Sequence, residues 1–349
     1  MPVSVVVGGQ YGSEGKGKVA LELVRRDRST TIVVRPGGTN SGHTAYTKDG
    51  RRFVLRQLPA AAIDGNVKVV LPAGSYIDVD LLRREITEVG LAPSQVIVDP
   101  RAHVIRADHI EWERRARLID SIGSTGSGTG ASVLSRLARC APNFPHATEA
   151  NEVSALLPYI AEAGPALEAA LKNGERVVIE GTQGFGLSPL HGDAWPKCTS
   201  RDTTAAGFLS EAGLSPRHVD EIVLVLRCHP IRVAGDSGPL SNETTWETIK
   251  DKAGAPDDLS EFTSVTQRLR RVGLFDGDIV RNAIRTNGPT KVVLNHLDYV
   301  DWHARSGLTS KASSFIRSVE SRIDRAVDWV GVGPEMISDS APVQFARRA

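Results

Sequence analysis

Val3-Ser4-Val5-Val6-Val7 runs straight into Gly8-Gly9-Gln10-Tyr11-Gly12-Ser13-Glu14-Gly15-Lys16-Gly17-Lys18, and this junction decides the fold. The β-branched run predicts a buried strand, and Lys16–Arg26 reads as the helix that follows. Between them, glycines let backbone N–H groups converge on an anion while lysine neutralises it. The loop is not a Walker A motif, because Gln10 stands where that pattern needs its first glycine and Gly17, not Ser or Thr, follows Lys16. Two lysines among closely spaced glycines still point to a phosphate cradle. Ser13 occupies the middle of the loop, where a charged catalytic residue is the expectation.

Working outward, short β-branched runs predict further buried parallel strands at Thr31–Val34, Lys68–Leu71, Gln95–Val98, Arg176–Glu180, Glu221–Leu226 and Lys291–Asn295. Helices are predicted between them at Asp80–Val89, Ile110–Ile122, Ala150–Asn173 and Asp276–Thr286, with a last one at Lys311–Val330. Alternation of this kind predicts an α/β protein with a large, mostly parallel central sheet and helices on both faces. The 349 residues are long enough for a sizeable core, and the absence of a repeat or linker favours a single domain over 1–349. Gly123–Gly130 and Asp236–Leu259 read as long functional loops.

Forty-two basic against 41 acidic side chains leave a net charge of +1, so no global field draws in nucleic acid or an anionic membrane. The three cysteines, Cys140, Cys198 and Cys228, make no CxxC or zinc spacing and read as reduced thiols. No stretch approaches the roughly 18 apolar residues of a membrane span. A cytoplasmic protein is expected.

Further clusters carry chemistry. Arg35-Pro36-Gly37-Gly38-Thr39-Asn40-Ser41-Gly42-His43-Thr44 combines small residues, which admit a ligand to the backbone, with polar Asn40, His43 and Thr44. Ile122–Gly130 offers hydroxyls and amides suited to a phosphate monoester. Glu180-Gly181-Thr182-Gln183-Gly184 puts an amide at a strand's carboxyl end, where it can read a heterocycle. Thr199–Thr204 adds hydroxyls, and the segment 261–273 places Arg268, Arg270 and Arg271 within four positions, suiting a dicarboxylate or triphosphate. Asn295-His296-Leu297-Asp298 ends a strand with a carboxylate able to accept from a purine's amino groups.

In this order the clusters resemble the adenylosuccinate synthetase family over most of the chain: GGQYGSEGKGK, GGTNSGHT, IGSTGSGTG, EGTQG, TSRDTT, RVAGDSGP, EFTSVTQRLRR, NHLD and the late Gly333-Pro334. The resemblance implies a P-loop-NTPase-like α/β fold and a ligase that couples L-aspartate to a purine nucleotide's C6, driven by a nucleoside triphosphate and Mg²⁺. The family carries Asp where this chain has Ser13, and that aspartate takes the purine N1 proton and helps hold Mg²⁺. A serine hydroxyl is no such base at neutral pH. Either the chain is an inactive relative or its substrate differs at the point Ser13 faces. Guanine carries an amino group at C2, beside N1, and Ser in place of Asp opens room for it. Phage members of the family that resemble this chain carry the same change and act on dGMP, supplying a precursor of 2-aminoadenine DNA.

Carried over by motif, the resemblance implies roles as follows. Ser13, Lys16, His43 and Gln183 are the catalytic group, and dGMP is bound by Ser13, Asn40, Thr125, Arg139, Gln183 and Thr199, with Arg139 crossing a homodimer interface. Thr266 and Arg268 take aspartate. The triphosphate falls to Gly12, Glu14, Gly15, Lys16, Gly17, Gly42, His43, Thr44, Arg270, Asn295, Asp298 and Gly333, and Mg²⁺ to Ser13 and the Gly42 carbonyl. Water, a substrate carboxylate and His43 are the candidates for taking the N1 proton. The family's Thr-Lys-x-Asp is here Asn295-His296-Leu297-Asp298, and Gly331-Val332-Gly333-Pro334 lacks the usual polar residue, which favours ATP or dATP over GTP. Ser127 and Leu269 replace family arginines. The alternatives are an ordinary GTP-dependent enzyme acting on IMP and a non-catalytic nucleotide-binding protein.

Overall fold

The apolar runs assemble into one nine-stranded sheet in the computed structural model, which describes residues 2–139, 141–263, 268–334 and 336–340. The strands are β1 (Val3–Gly8), β2 (Thr30–Val34), β3 (Lys68–Leu71), β4 (Val96–Val98), β5 (Arg176–Glu180), β6 (Val219–Arg227), β7 (Lys291–Asn295), β8 (Trp329–Val332) and β9 (Met336–Asp339). They lie in the order β9-β8-β7-β6-β1-β5-β2-β3-β4. All pairings are parallel except β8 with β9. The α/β expectation holds.

Alternation along the central strand builds two cores. Val3, Val5 and Val7 pack with the helices Ala163–Lys172, Ala205–Ala212, Gly277–Asn287 and Ser310–Ile323. Val6 faces the other way, toward α1 (Lys16–Arg26), the helix Val79–Val89 and the hairpin of His43–Tyr46 with Arg52–Leu55. These four valines are fully buried, each worth about 1.5–3 kcal/mol, which pins β1 at the centre of the sheet.

Three helical expectations change, and two loops carry helices. Ile110–Ile122 is two helices, Ala107–Arg115 and Leu118–Ile122, separated where Arg117 takes a left-handed φ of 54°. In Ala150–Asn173 only Ala163–Lys172 is α-helix; short 3-10 turns precede it, one containing Pro158, and Ala161 N–H donates to the Val98 carbonyl of edge strand β4 at 3.1 Å. The last helix stops at Ile323, where left-handed Asp324 turns the chain toward β8. The glycine-rich loop opens a helix not anticipated, α2 (Thr129–Ala138), and Asp236–Leu259 contains the helix Trp246–Ala253.

Parallel strands share one carboxyl edge, and every cluster singled out above between residues 8 and 44, 180 and 184, and 295 and 298 emerges there. Ligands bind such sheets in the crevice beyond that edge.

Candidate active site

The phosphate loop turns on left-handed residues: Gly12 at φ 96°, Ser13 at 57° and Gly15 at 91°. Its brace is Glu14. That side chain is fully buried and accepts from Gln10 N–H (3.2 Å), Gly12 N–H (2.8 Å) and Lys16 Nζ (2.6 Å). Glu14, expected among the triphosphate contacts, therefore spends its carboxylate inside the loop. Gln10 zips the loop to β6, donating to the Arg227 carbonyl at 3.1 Å and accepting from its N–H at 2.9 Å. Lys16 begins α1, so the loop ends at a helix N-terminus, whose field favours an anion. A Cβ on Gly17 would lie 2.9 Å from that of His43, which seats the second cluster against the first.

His43 is oriented from behind. Its Nδ1 lies 2.5 Å from Glu180 Oε1, at the end of β5, while Ser41 Oγ meets Nε2 at 3.2 Å. Arg35, at the end of β2, donates to the same Glu180 oxygen at 2.8 Å, and Ala60 N–H donates to Glu180 Oε2 at 2.9 Å. Burial, then the Arg35 charge, pushes the His43 imidazole down to about 4. Burial opposes ionisation of Glu180, but His43, Arg35 and the Ala60 amide hold its carboxyl below the usual range. At neutral pH His43 is thus uncharged, Nδ1–H faces Glu180, and Nε2 keeps a lone pair.

The Ser13 side is different in character. Ser13 is exposed, its carbonyl accepts from Arg227 at 3.1 Å, and its hydroxyl accepts from Arg270 NH1. Both guanidiniums share Glu261, Arg227 at 2.6 Å and Arg270 at 3.6 Å. Burial works against the Glu261 charge, yet the two arginines, Arg227 foremost, bring its carboxyl down to about 2. Neighbouring His296, left-handed at φ 66°, is held well below its ordinary value by burial and the Arg227 charge.

A hydroxyl-and-amide pocket lies between the second and third clusters. Asn40 Nδ2 meets Thr199 Oγ1 at 3.4 Å, and Gln183 Nε2 donates to the Asn40 carbonyl at 3.3 Å. Thr125, Ser127 and Thr129 form a chain of hydroxyls at 3.1 Å spacing. Thr129 packs where a Cβ on Gly38 would fall, at 2.5 Å, so glycine there admits the loop. At the start of α2, buried Glu113 accepts from Gly128 N–H at 2.9 Å and Ala131 N–H at 3.1 Å. Asn40 Oδ1 is buried and has no partner among the described residues.

At the far end of the crevice Asn295 Nδ2 donates to the Glu14 carbonyl at 2.8 Å, and a Cβ on Gly331 would fall 1.9 Å from Asn295 Oδ1. Lys18 Nζ donates to the Gly333 carbonyl at 3.1 Å, and burial lowers Lys18 to about 8. Asp298 is buried: Oδ2 accepts from Arg305 Nε at 3.2 Å, while Oδ1 has no partner among the described residues.

Comparison with known proteins settles what this crevice belongs to. The family model for adenylosuccinate synthetase matches residues 5–154 and 145–305. The chain belongs to the adenylosuccinate synthetase family. The synthetases of Methanococcus aeolicus and Thermococcus onnurineus are 34% and 35% identical over 345 residues, covering 96% of this chain and 98% and 97% of theirs. Among solved structures, the cyanophage S-2L succinoaminodeoxyadenylate synthetase (PurZ), bound to dGMP and to dATP as an energy donor, superposes with a TM-score of 0.80 at 26% identity, over 97% of this chain and 95% of that one. Fully ligated adenylosuccinate synthetase from Plasmodium falciparum has the same fold, with a TM-score of 0.82 at 20% identity over 98% of this chain and all of that one.

The synthetase is thus a nucleotide-using ligase that forms a carbon–nitrogen bond. Its structure gathers Ser13, Lys16, His43, Asn40, Gln183 and Thr199 around one crevice with Arg270, Asn295 and Asp298. Gly42 and Thr44 are exposed beside His43. Arg268 is exposed, with its amide donating to Thr263 Oγ1 at 3.0 Å; Thr266 lies outside the described residues. Arg139 is exposed at the end of α2 remote from Thr125, about 15 Å along the helix. Arg35, Arg227 and Glu261 hold roles that the motif reading did not assign. The signal was present for Arg227, a lone charge closing the apolar run Val223–Leu226.

The donor set fits Mg²⁺ only in part. The exposed Gly42 carbonyl is a suitable hard oxygen, whereas the Ser13 hydroxyl is already accepting from a guanidinium. Among the described residues no cluster of three or more His, Cys, Asp or Glu side chains is placed to hold a metal. Nor is any helix among them long and apolar enough to cross a membrane.

Proposed function

We propose that this synthetase joins L-aspartate to C6 of dGMP at the expense of ATP or dATP, giving 2-amino-2′-deoxy-N6-succinyladenylate, ADP (or dADP) and phosphate. The observation that carries the reading is Ser13: the apex of the phosphate loop presents a short neutral side chain, bonded to Arg270, where a carboxylate would crowd a purine 2-amino group. The cyanophage neighbour, which holds dGMP and dATP, supports it.

In this reading Asn40, Thr125, Gln183 and Thr199 bind the deoxynucleotide, with Gln183 at the base and the hydroxyls at the phosphate. Lys16 and the amides from Gly12 to Gly17 hold the transferring phosphoryl group. His43 accepts a proton at Nε2, and Glu180 then stabilises the imidazolium as it donates to the phosphoryl oxygens. Thr266 and Arg268 bind aspartate, and Arg270 meets the triphosphate. The Gly42 carbonyl would help hold Mg²⁺, which would supply charge neutralisation for the transferred group. Arg139 reaches the 5′-phosphate bound by the partner protomer of a homodimer, and the whole of 1–349 acts as one domain.

Asp298 supports adenine in the triphosphate site. Guanine offers two adjacent donors to a carboxylate, but Arg305 already engages Oδ2, which leaves Oδ1 for a single amino group. The test is aspartate-dependent phosphate release across dGMP, GMP and IMP with ATP, dATP or GTP. Turnover of dGMP with an adenine triphosphate is the expected result. Turnover of IMP alone returns the ordinary reaction, and binding without phosphate release returns a non-catalytic protein.

A further inference from the structure

We infer that the Ser13 hydroxyl anchors the Arg270 guanidinium at the phosphate loop, making this serine a positioning residue that acts through Arg270. The inference rests on the ligase reading above and adds to it, since room beside the base asks only that residue 13 be small.

Four observations carry it. Ser13 holds a left-handed φ of 57°, a conformation that costs an L-residue about 1–2 kcal/mol and glycine nothing, so smallness alone would favour glycine. The residue is gripped at both polar ends: its carbonyl accepts from Arg227 at 3.1 Å and its hydroxyl from Arg270 NH1. Among the described residues the Arg270 side chain also donates from Nε to the Phe262 carbonyl at 3.2 Å and pairs with Glu261 at 3.6 Å, and neither contact ties it to the loop. Glu261 is itself committed to Arg227 at 2.6 Å.

Charge explains why a hydroxyl serves here. Arg227, Arg270 and Glu261 together carry one net positive charge. A carboxylate at residue 13 would pair with Arg270 and cancel it, whereas a hydroxyl holds the guanidinium by a neutral acceptor and leaves the charge for a polyphosphate. The contact also ties the phosphate loop to the segment from Arg268 to Gly273, whose Arg271–Gly273 strand follows Arg270 directly. Loop and arginine segment are thereby set relative to each other.

The test is a double-mutant cycle of Ser13→Gly and Arg270→Lys, assayed with the purine nucleotide that the wild-type enzyme turns over. Ser13→Gly keeps the room and suits the left-handed backbone while deleting the hydroxyl. Its expected effect is a loss of about tenfold in kcat and in equilibrium ATP affinity, the worth of one hydrogen bond to a charged group, with KM for the purine monophosphate within twofold. In the Arg270→Lys background the same change should cost less than twofold, because its route is already cut. Full activity and ATP affinity in Ser13→Gly, or full additivity of the two changes, overturns the inference. Failure of the wild type on dGMP overturns the substrate assignment instead, and the cycle then runs on IMP with the same two outcomes.

Discussion

The two sides of the crevice solve charge differently. On one side Arg35, Glu180 and His43 close on each other, with a buried cation, a buried anion and a neutral imidazole satisfied before any ligand arrives. On the other, Arg227 and Arg270 outnumber Glu261, and His296 Nε2, Asp298 Oδ1, Asn295 Oδ1 and Arg227 Nε lie buried without partners among the described residues. The closed side is built to hold one imidazole in one orientation while a proton moves. The open side is built to be completed by a polyanion and a base, and it is where the chain departs from the family's motifs, at Ser13 and at His296. In the proposed reading, chemistry resides in the first and substrate choice in the second.

The largest expected effect strikes the closed side. Glu180→Gln should lower kcat roughly 100-fold by releasing His43 from its orienting partner, with KM for the nucleotides little changed. It should also destabilise the fold, because Arg35 is left as a buried charge, a change that costs about 3–5 kcal/mol in comparable cases. Near-normal kcat would break the division of labour just drawn. Next, Ser13→Asp on the open side should lower kcat/KM for dGMP by about tenfold or more relative to IMP, which lacks the amino group that the carboxylate crowds at C2; the neutralised Arg270 charge costs both substrates alike. Equal losses for dGMP and IMP would mean that residue 13 is not reading C2.

A smaller effect is expected from Arg305→Ala, which frees Asp298 Oδ2. The GTP-to-ATP ratio of kcat/KM should rise severalfold, in line with about 1 kcal/mol for one hydrogen bond. An unchanged ratio would remove Arg305 from triphosphate selection.

Acid should weaken the fold by a gradual route. His43 and His229 are held near 4 and His296 well below its ordinary value, chiefly by burial, so all three are neutral in the folded protein and titrate near 6.5 once unfolded. The unfolded chain then binds more protons below pH 6.5, and stability falls as pH drops from about 6.5 toward 4. Glu85 and Glu211, raised by burial, offset part of that loss. Urea midpoints taken at pH 7, 5.5 and 4.5 should decline in that order; a flat series would show these imidazoles to be charged in the native state.

The central sheet was legible because burial on both faces leaves near-continuous β-branched runs, as in Val3–Val7 and Lys291–Asn295. Elements whose form depends on a neighbour were not. Ala150–Leu157 carries helix-compatible residues, yet the segment that follows hydrogen-bonds to edge strand β4, and Trp329-Val330, the start of β8, reads as the end of a helix until Asp324 turns the chain. In the site, loop residues announced themselves by composition, while their supports did not. Arg35 and Glu180 lie 145 residues apart and Arg227 and Glu261 lie 34 apart, so only the fold brings each pair together. Glu14 shows the opposite failure: a charge in a phosphate loop invites a ligand role, and three donors around it show it to be the loop's internal brace.

Phosphate release in the presence of L-aspartate and ATP, compared between dGMP and IMP at equal concentration, tests the central claim most directly. The account requires rapid, aspartate-dependent release with dGMP and little with IMP. Release with IMP and none with dGMP would contradict it.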